Sequence, residues 1–139
     1  MKNREIKFKG ILRKTNKMAF GMLMYSASDC GLVIVDTVNI PPSMSDPCGD
    51  TINIYHGIIQ GTESQFTERR DKNEVEIYEN DIIYNNDRKE HAVVKYVTDK
   101  AMFITEYVNS KDKFPLWESL SNLYYYVGNI FQNPELCEH

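Results

Sequence analysis

Phe66–Ile83 (FTERRDKNEVEIYENDII) is the stretch on which the fold turns. Phe66-Thr67 leads into the charged run Arg69–Glu74. Ile77-Tyr78 follows, and after Glu79-Asn80-Asp81 the chain re-enters an apolar run, Ile82-Ile83-Tyr84. Apolar pieces this short are marginal as helices, whereas several of them separated by polar turns are the pattern of antiparallel strands. Asn80 tolerates positive φ and Asp81 can bond nearby backbone N–H groups. Tyr-Glu-Asn-Asp therefore predicts a β-turn feeding a buried strand.

The same reading extends in both directions. Downstream, the polar loop Asn85–Glu90 precedes three apolar runs, His91–Val97, Met102–Val108 and Tyr124–Phe131, with one brief helical turn expected at Glu118–Asn122. Gly128 interrupts the last run and predicts a bulge or a close backbone approach. In the tail, Asn133 is a candidate helix cap, Pro134 suits the first helical position, and Glu135 sits at the positive end of the dipole. The resulting turn should pack through Leu136. Upstream, Thr51–Ile59 and Leu32–Val38 read as strands, separated by Ile40–Asp50 (IPPSMSDPCGD). That segment holds three of the five prolines and reads as a loop or a linker. Within a single domain spanning residues 1–139, it suggests two halves, about 1–48 and 49–139.

The opening reads as a hairpin. Ile6 and Phe8 alternate with charged residues in Arg4–Lys9, Lys14–Lys17 supplies the turn, and Met18, Phe20, Met22 and Met24 alternate with Ala19 and Gly21. The methionine-rich stripe is expected in the core. The rival reading is an adaptable binding face, since thioethers fill irregular gaps.

Three blocks carry a family resemblance: Arg4–Phe8, Phe66–Asp81 and Val127–Leu136 (VGNIFQNPEL). Together they resemble the YopX family, small proteins found mostly in phages and prophages. The family's most recognisable block runs from a Lys-Asp-Lys-Asn-Gly turn to Ile-Tyr-Glu-Gly-Asp and an apolar strand. Phe66-Thr67, Asp71-Lys72-Asn73, Glu76–Glu79 and Asp81-Ile82 match in register. Glu68, Glu74 and Asn80 stand where the family usually has Gly. Asn is an easy substitute in the left-handed region and Glu is not, so the turn at Asn73-Glu74 is expected to take a different shape. Met22–Gly61 matches no named pattern. The resemblance implies a YopX-like fold, a phage or prophage origin and a bacterial cytoplasmic setting, and it implies no reaction.

Composition bounds the function. The 139 residues are 42% hydrophobic and 26% charged, as in a globular protein, and nine Tyr, six Phe and one Trp favour strands. No apolar run is long enough to span a membrane, and the charged N-terminus lacks the apolar core of a secretory signal. Cys30, Cys48 and Cys137 form no CxxC pair and lie far from His56 and His91. Reduced cytoplasmic thiols are therefore expected rather than a zinc site. Charge is uneven: residues 1–17 carry seven basic side chains against Glu5 alone, while the remainder carries nine basic and nineteen acidic. A basic arm on an acidic body suits the wet face of an edge strand, self-association, or nucleic acid.

The candidate chemistry is sparse. Glu74, Glu76, Glu79 and Asp81 put four carboxylates within eight residues, a density that would suit a metal-dependent hydrolase using Glu76, Glu79 and Asp81. The turn reading explains them better. No nucleophile signature accompanies the histidines, and no glycine-rich phosphate cradle is present, so neither metal nor cofactor is expected. Tyr124, Tyr125 and Tyr126, beside Tyr107, Trp117 and Phe131, form the densest aromatic region. Alternation sends Tyr124 and Tyr126 one way and Tyr125 the other, so part of the cluster must be core. The expectation is a mostly β protein of short antiparallel strands in one or two small sheet or barrel-like halves. Its expected role is a non-catalytic protein-binding or self-assembling module, with homo-oligomers or another protein as partner. The alternative is a nucleic-acid-binding protein. Candidate contacts for either are Lys2, Arg4, Lys7, Lys9, Tyr124, Tyr125 and Tyr126.

Overall fold

The structure is a computed structural model that describes residues 4–26, 31–44, 47–116 and 123–138. Strands make up 55% of it and helical turns 7%, in antiparallel sheets that do not close into barrels. The chain forms two compact units: Ile6–Glu63, and Ser64–His139 together with Met1–Glu5. The division therefore falls at Glu63–Ser64. The proline-rich segment lies inside the first unit, where it joins two neighbouring strands of one sheet.

In the first unit the strands are β1 (Phe8–Ile11), β2 (Met18–Ser26), β3 (Gly31–Ile40) and β4 (Asp50–Gly57), in the order β4-β3-β2-β1. The expected hairpin forms, but its first strand starts at Phe8 rather than Arg4. Its turn is closed by Leu12 N–H to the Lys17 carbonyl and Asn16 N–H to the Leu12 carbonyl, both 2.9 Å.

Register decides the faces. Phe8 pairs with Gly21, Gly10 with Ala19, and Leu23 with Ile34, so these residues share one side of the sheet. That side is packed: Ile34 and Ile58 are fully buried, and a β-carbon at Gly10 would come within 2.7 Å of Ile58 Cδ1. Gly10 makes room for Ile58, and Gly21 for Ile34 and the Val35 carbonyl. Phe20, Met22 and Met24, at the alternate positions of β2, point the other way. Phe20, Met22 and Met24 are 54%, 54% and 44% exposed, which corrects the expectation that this stripe is core. Lys9 lies opposite Phe20 and is only 4% exposed, so it is no part of a wet edge.

The second unit holds the hairpin β5 (Ser64–Arg70) with β6 (Glu76–Tyr78). It also holds an antiparallel sheet of β7 (Asp81–Asn85), β8 (Glu90–Val97), β9 (Met102–Tyr107), β10 (Lys113–Pro115) and β11 (Tyr124–Asn129), in the order β10-β9-β8-β7-β11. Both faces of β7 and β8 are covered. Ile83, Ala92 and Val94 pack with Ile77, Tyr107, Leu116 and Tyr124 on one side. Ile82 and Val93 pack with Val108, Ile130 and Leu136 on the other. Leu136 is delivered by a single 3-10 turn, Pro134–Cys137, as the tail sequence predicts. The helical turn expected at Glu118–Asn122 lies outside the described residues. Among the described residues, no helix is long and apolar enough to cross a membrane.

Candidate functional site

The acidic block shapes backbone. Asp71 is buried at the β5–β6 turn, where its Oδ1 accepts from Asn73 N–H at 2.8 Å and Val75 N–H at 2.9 Å. Its Oδ2 accepts from Tyr126 N–H at 2.8 Å, tying the turn to β11. Asp81 is also buried and accepts from Tyr78 N–H at 2.7 Å. A carboxylate is a strong acceptor for otherwise orphaned N–H groups, which is why both tolerate burial. Glu76 meets Arg70 at 3.3 Å and accepts from the Tyr78 hydroxyl at 3.2 Å. Burial and this carboxylate push the Tyr78 hydroxyl well above its ordinary range, so it stays protonated as a donor. Glu74 is exposed. Among the described residues, no three His, Cys, Asp or Glu side chains converge as a metal site requires.

All three positions where the family usually has Gly take the conformation glycine favours. Glu68 has φ 67°, Glu74 φ 64° and Asn80 φ 70°. Asn80 behaves as its side chain predicts, and its Nδ2 donates to Ser64 Oγ at 3.1 Å. The Asn73-Glu74 turn, expected to change shape, instead keeps the left-handed step with Glu in it. Glu68 occupies a shift in register between Phe66 and Arg69, as the glycine of a bulge would.

The tail follows the same logic. The β11–β7 register shifts between Tyr126 and Gly128, the expected bulge. A β-carbon at Gly128 would overlap the side chain of Asn133. Asn133 Oδ1 approaches there to accept from Asn129 N–H at 3.2 Å, so Asn133 makes no side-chain helix cap, contrary to expectation. Asn129 Oδ1 in turn accepts from Phe131 and Gln132 N–H groups at 3.0 and 2.9 Å.

The candidate contact residues do not form one surface. Lys2 and Trp117 lie outside the described residues. Arg4 pairs with Glu68 at 2.9 Å, Lys7 is half-buried and Lys9 is buried. Tyr124 is buried and Tyr126 packs against the same core, while Tyr125 faces the other way with Lys72 Nζ 4.7 Å from its ring centre. The triad thus divides as alternation predicts. His91 packs edge-on against Tyr84. Cys137 is half-buried and burial pushes its thiol up, away from the reactive thiolate.

Sequence reasoning preferred the wrong side for one feature and missed a second. The first is the outward stripe Phe20, Met22 and Met24. The second is a clamp around Glu90, which accepts from Asn109 and Ser110 N–H groups at 2.8 and 2.6 Å and meets Arg88 at 3.6 Å. Arg88 also bonds Asp112 at 2.6 Å and lies over the Tyr107 ring. Only the alternation on β2 signalled the stripe, and nothing local linked residues 88–90 to 109–112.

A small all-β protein with two units and a backbone-bonded acidic turn is the class these features define. The chain belongs to the YopX family: the family model described as YopX protein matches residues 7–138. Its fold is similar to the crystal structure of protein EF1440 from Enterococcus faecalis. The TM-score is 0.63 and the identity 19%, over 98% of this chain and 100% of that one. No curated protein matches the chain.

Proposed function

We propose that this protein is a non-catalytic assembly module of phage or prophage origin, working in the bacterial cytoplasm, and that it binds a second copy of itself. The observation that carries the reading is the exposed row Phe20, Met22 and Met24 on one face of β2. Exposed apolar patches of this kind mark contact surfaces, and methionine adapts its shape to what it meets. A closed dimer needs a patch that can face itself across a two-fold axis, and an uncharged row meets that need without opposing like charges. The family carboxylates favour a non-catalytic role, because Asp71 and Asp81 are occupied by backbone N–H groups. Light scattering across a concentration series tests the reading. Wild type should associate, and Met22→Glu should remain a folded monomer. A wild-type protein that stays monomeric at the highest concentration overturns it.

A further inference from the structure

We propose that a cavity in the unit Ser64–His139 binds a small organic monocarboxylate. Arg69 and the Tyr124 hydroxyl hold the carboxylate, and Tyr96 and Phe103 receive an aromatic body. The site uses no residue of the apolar stripe on β2 and does not depend on self-association.

The cavity measures about 680 Å³. Small-ligand sites typically span about 300–1,000 Å³. One wall is β5, whose alternate residues Gln65, Thr67 and Arg69 line it. The other is the β8–β9 hairpin, where Tyr96 and Phe103 pair across the strands. Their rings meet edge-on at 5.2 Å, and Tyr96 is 43% exposed. Donors on one wall and rings on the other suit a ligand with one charged end and one apolar end.

Charge selects that end. Arg70 meets Glu76 at 3.3 Å and Arg4 meets Glu68 at 2.9 Å. Arg69, adjacent in sequence to both Glu68 and Arg70, pairs with no carboxylate among the described residues. The described lining sets Arg4 and Arg69 against Glu68, which leaves one positive charge in excess. A single excess charge matches a monoanion better than a phosphate dianion. The guanidinium fork fits both oxygens of a carboxylate. Its backbone is also fixed in advance. Thr67 Oγ1 donates to the Ile77 carbonyl at 2.7 Å and accepts from Arg69 N–H at 3.2 Å.

The second donor is an orphan. Tyr124 is buried, and its hydroxyl has no hydrogen-bond partner. Phe103 and Leu116, which line the cavity, belong to the cluster in which Tyr124 packs. Burial pushes the phenol up, and the nearby Arg69 charge pulls it the other way. The hydroxyl therefore stays protonated while sharing the field of the guanidinium. A buried donor without an acceptor destabilises the free protein, and a carboxylate seated on Arg69 would supply that acceptor.

Ligand-observed NMR and calorimetry at low salt would compare phenylacetate, phenylacetamide and phenyl phosphate. Phenylacetate should bind, and the uncharged amide should bind about tenfold more weakly or worse. Phenyl phosphate should bind no better than phenylacetate. Arg69→Gln, a change at an exposed residue, should weaken phenylacetate about tenfold or more and leave the amide unchanged. Tyr124→Phe separates binding from folding. It should raise the urea midpoint of the free protein, because the orphaned hydroxyl is gone, and yet weaken phenylacetate several-fold. A hydroxyl with a purely structural role would change the midpoint and not the affinity. No binding of phenylacetate, tighter binding of phenyl phosphate, or an affinity unchanged in Arg69→Gln or Tyr124→Phe overturns the proposal.

Discussion

The two units are both built from antiparallel strands, but different contacts hold their described residues. In Ser64–His139 the turns are held by buried polar side chains that accept from backbone N–H groups: Asp71, Asp81, Asn85, Glu90 and Asn129. In Ile6–Glu63, buried Thr62 accepts from Ile11 N–H at 3.1 Å. Close steric fit also sets the arrangement there, with Gly10 against Ile58 and Gly21 against the Val35 carbonyl and Ile34. Polar anchoring is directional and costly to break, because a buried donor left without its acceptor loses its full solvation. Steric anchoring sets a register but leaves the opposite face free to be what function needs. The outward stripe lies on the unit that includes Met22–Gly61, the stretch that matches no named pattern.

Asp71→Ala should give the largest break in this contrast. It removes the acceptor of three backbone N–H groups at once, including the link from the β5–β6 turn to β11. The expected loss is about 3–5 kcal/mol. Urea unfolding measures it directly. A loss below about 1 kcal/mol would mean that the carboxylate is not what holds the turn.

Glu90 sharpens the comparison through pH. Hydrogen bonds from Ser110 and Asn109, with Arg88 nearby, hold its carboxyl below the usual range despite burial. Because folding lowers its pKa, the carboxylate stabilises above the free glutamate value of about 4.3. That contribution disappears as pH falls through the depressed folded value. Glu90→Gln should cost about 1–3 kcal/mol at pH 7, and the difference from wild type should shrink steadily in acid. A difference that is constant from neutral to strongly acidic pH would show that the charge plays no part.

Glu74→Gly runs the other way. At φ 64° a glutamate carries the left-handed penalty that glycine avoids, and part of the gain returns as chain entropy in the unfolded state. Stabilisation of about 0.5–1 kcal/mol is expected, read as a rise in the urea midpoint at unchanged slope. Destabilisation would mean that the Glu74 side chain compensates for its backbone. Glu68→Gly is a less clean test, since it also deletes the exposed pair with Arg4.

These differences explain what was legible. Asn80, Gly128 and Leu136 could be placed from sequence, because each role is local: a left-handed step, a bulge and an apolar plug a few residues from its turn. The division of the three tyrosines followed from strand alternation alone. The faces of β2 could not be read that way. Hydrophobic periodicity chose Phe20, Met22 and Met24 for the core, but the available volume was already taken by Ile34 and Ile58, which are distant in sequence. Lys9 shares its face with the exposed Phe20, as alternation predicts, and yet it is buried. Asn133 had the right residue type for a cap, yet its oxygen is claimed by Asn129 N–H because Gly128 lets it approach. The Glu90 clamp joins two turns some twenty residues apart, so no window of sequence contains it.

The smallest stability effect is also the one that bears most on function. Met22 is a large apolar residue in mid-strand, and a core methionine replaced by glutamate would cost several kcal/mol through buried charge. On the outward face that penalty vanishes, and the remaining terms are strand propensity and a few surface contacts, within about 1 kcal/mol. Ile34→Ala, on the packed side of the same sheet, should cost about 2–5 kcal/mol. Near-neutral Met22→Glu beside costly Ile34→Ala would therefore place the whole stripe outside the core by a measurement independent of any partner. If Met22→Glu proved as damaging as Ile34→Ala, the stripe would be interior after all and the assembly reading would lose its surface. If it were neutral for unfolding but abolished association, one residue would separate what this sheet needs for folding from what it presents.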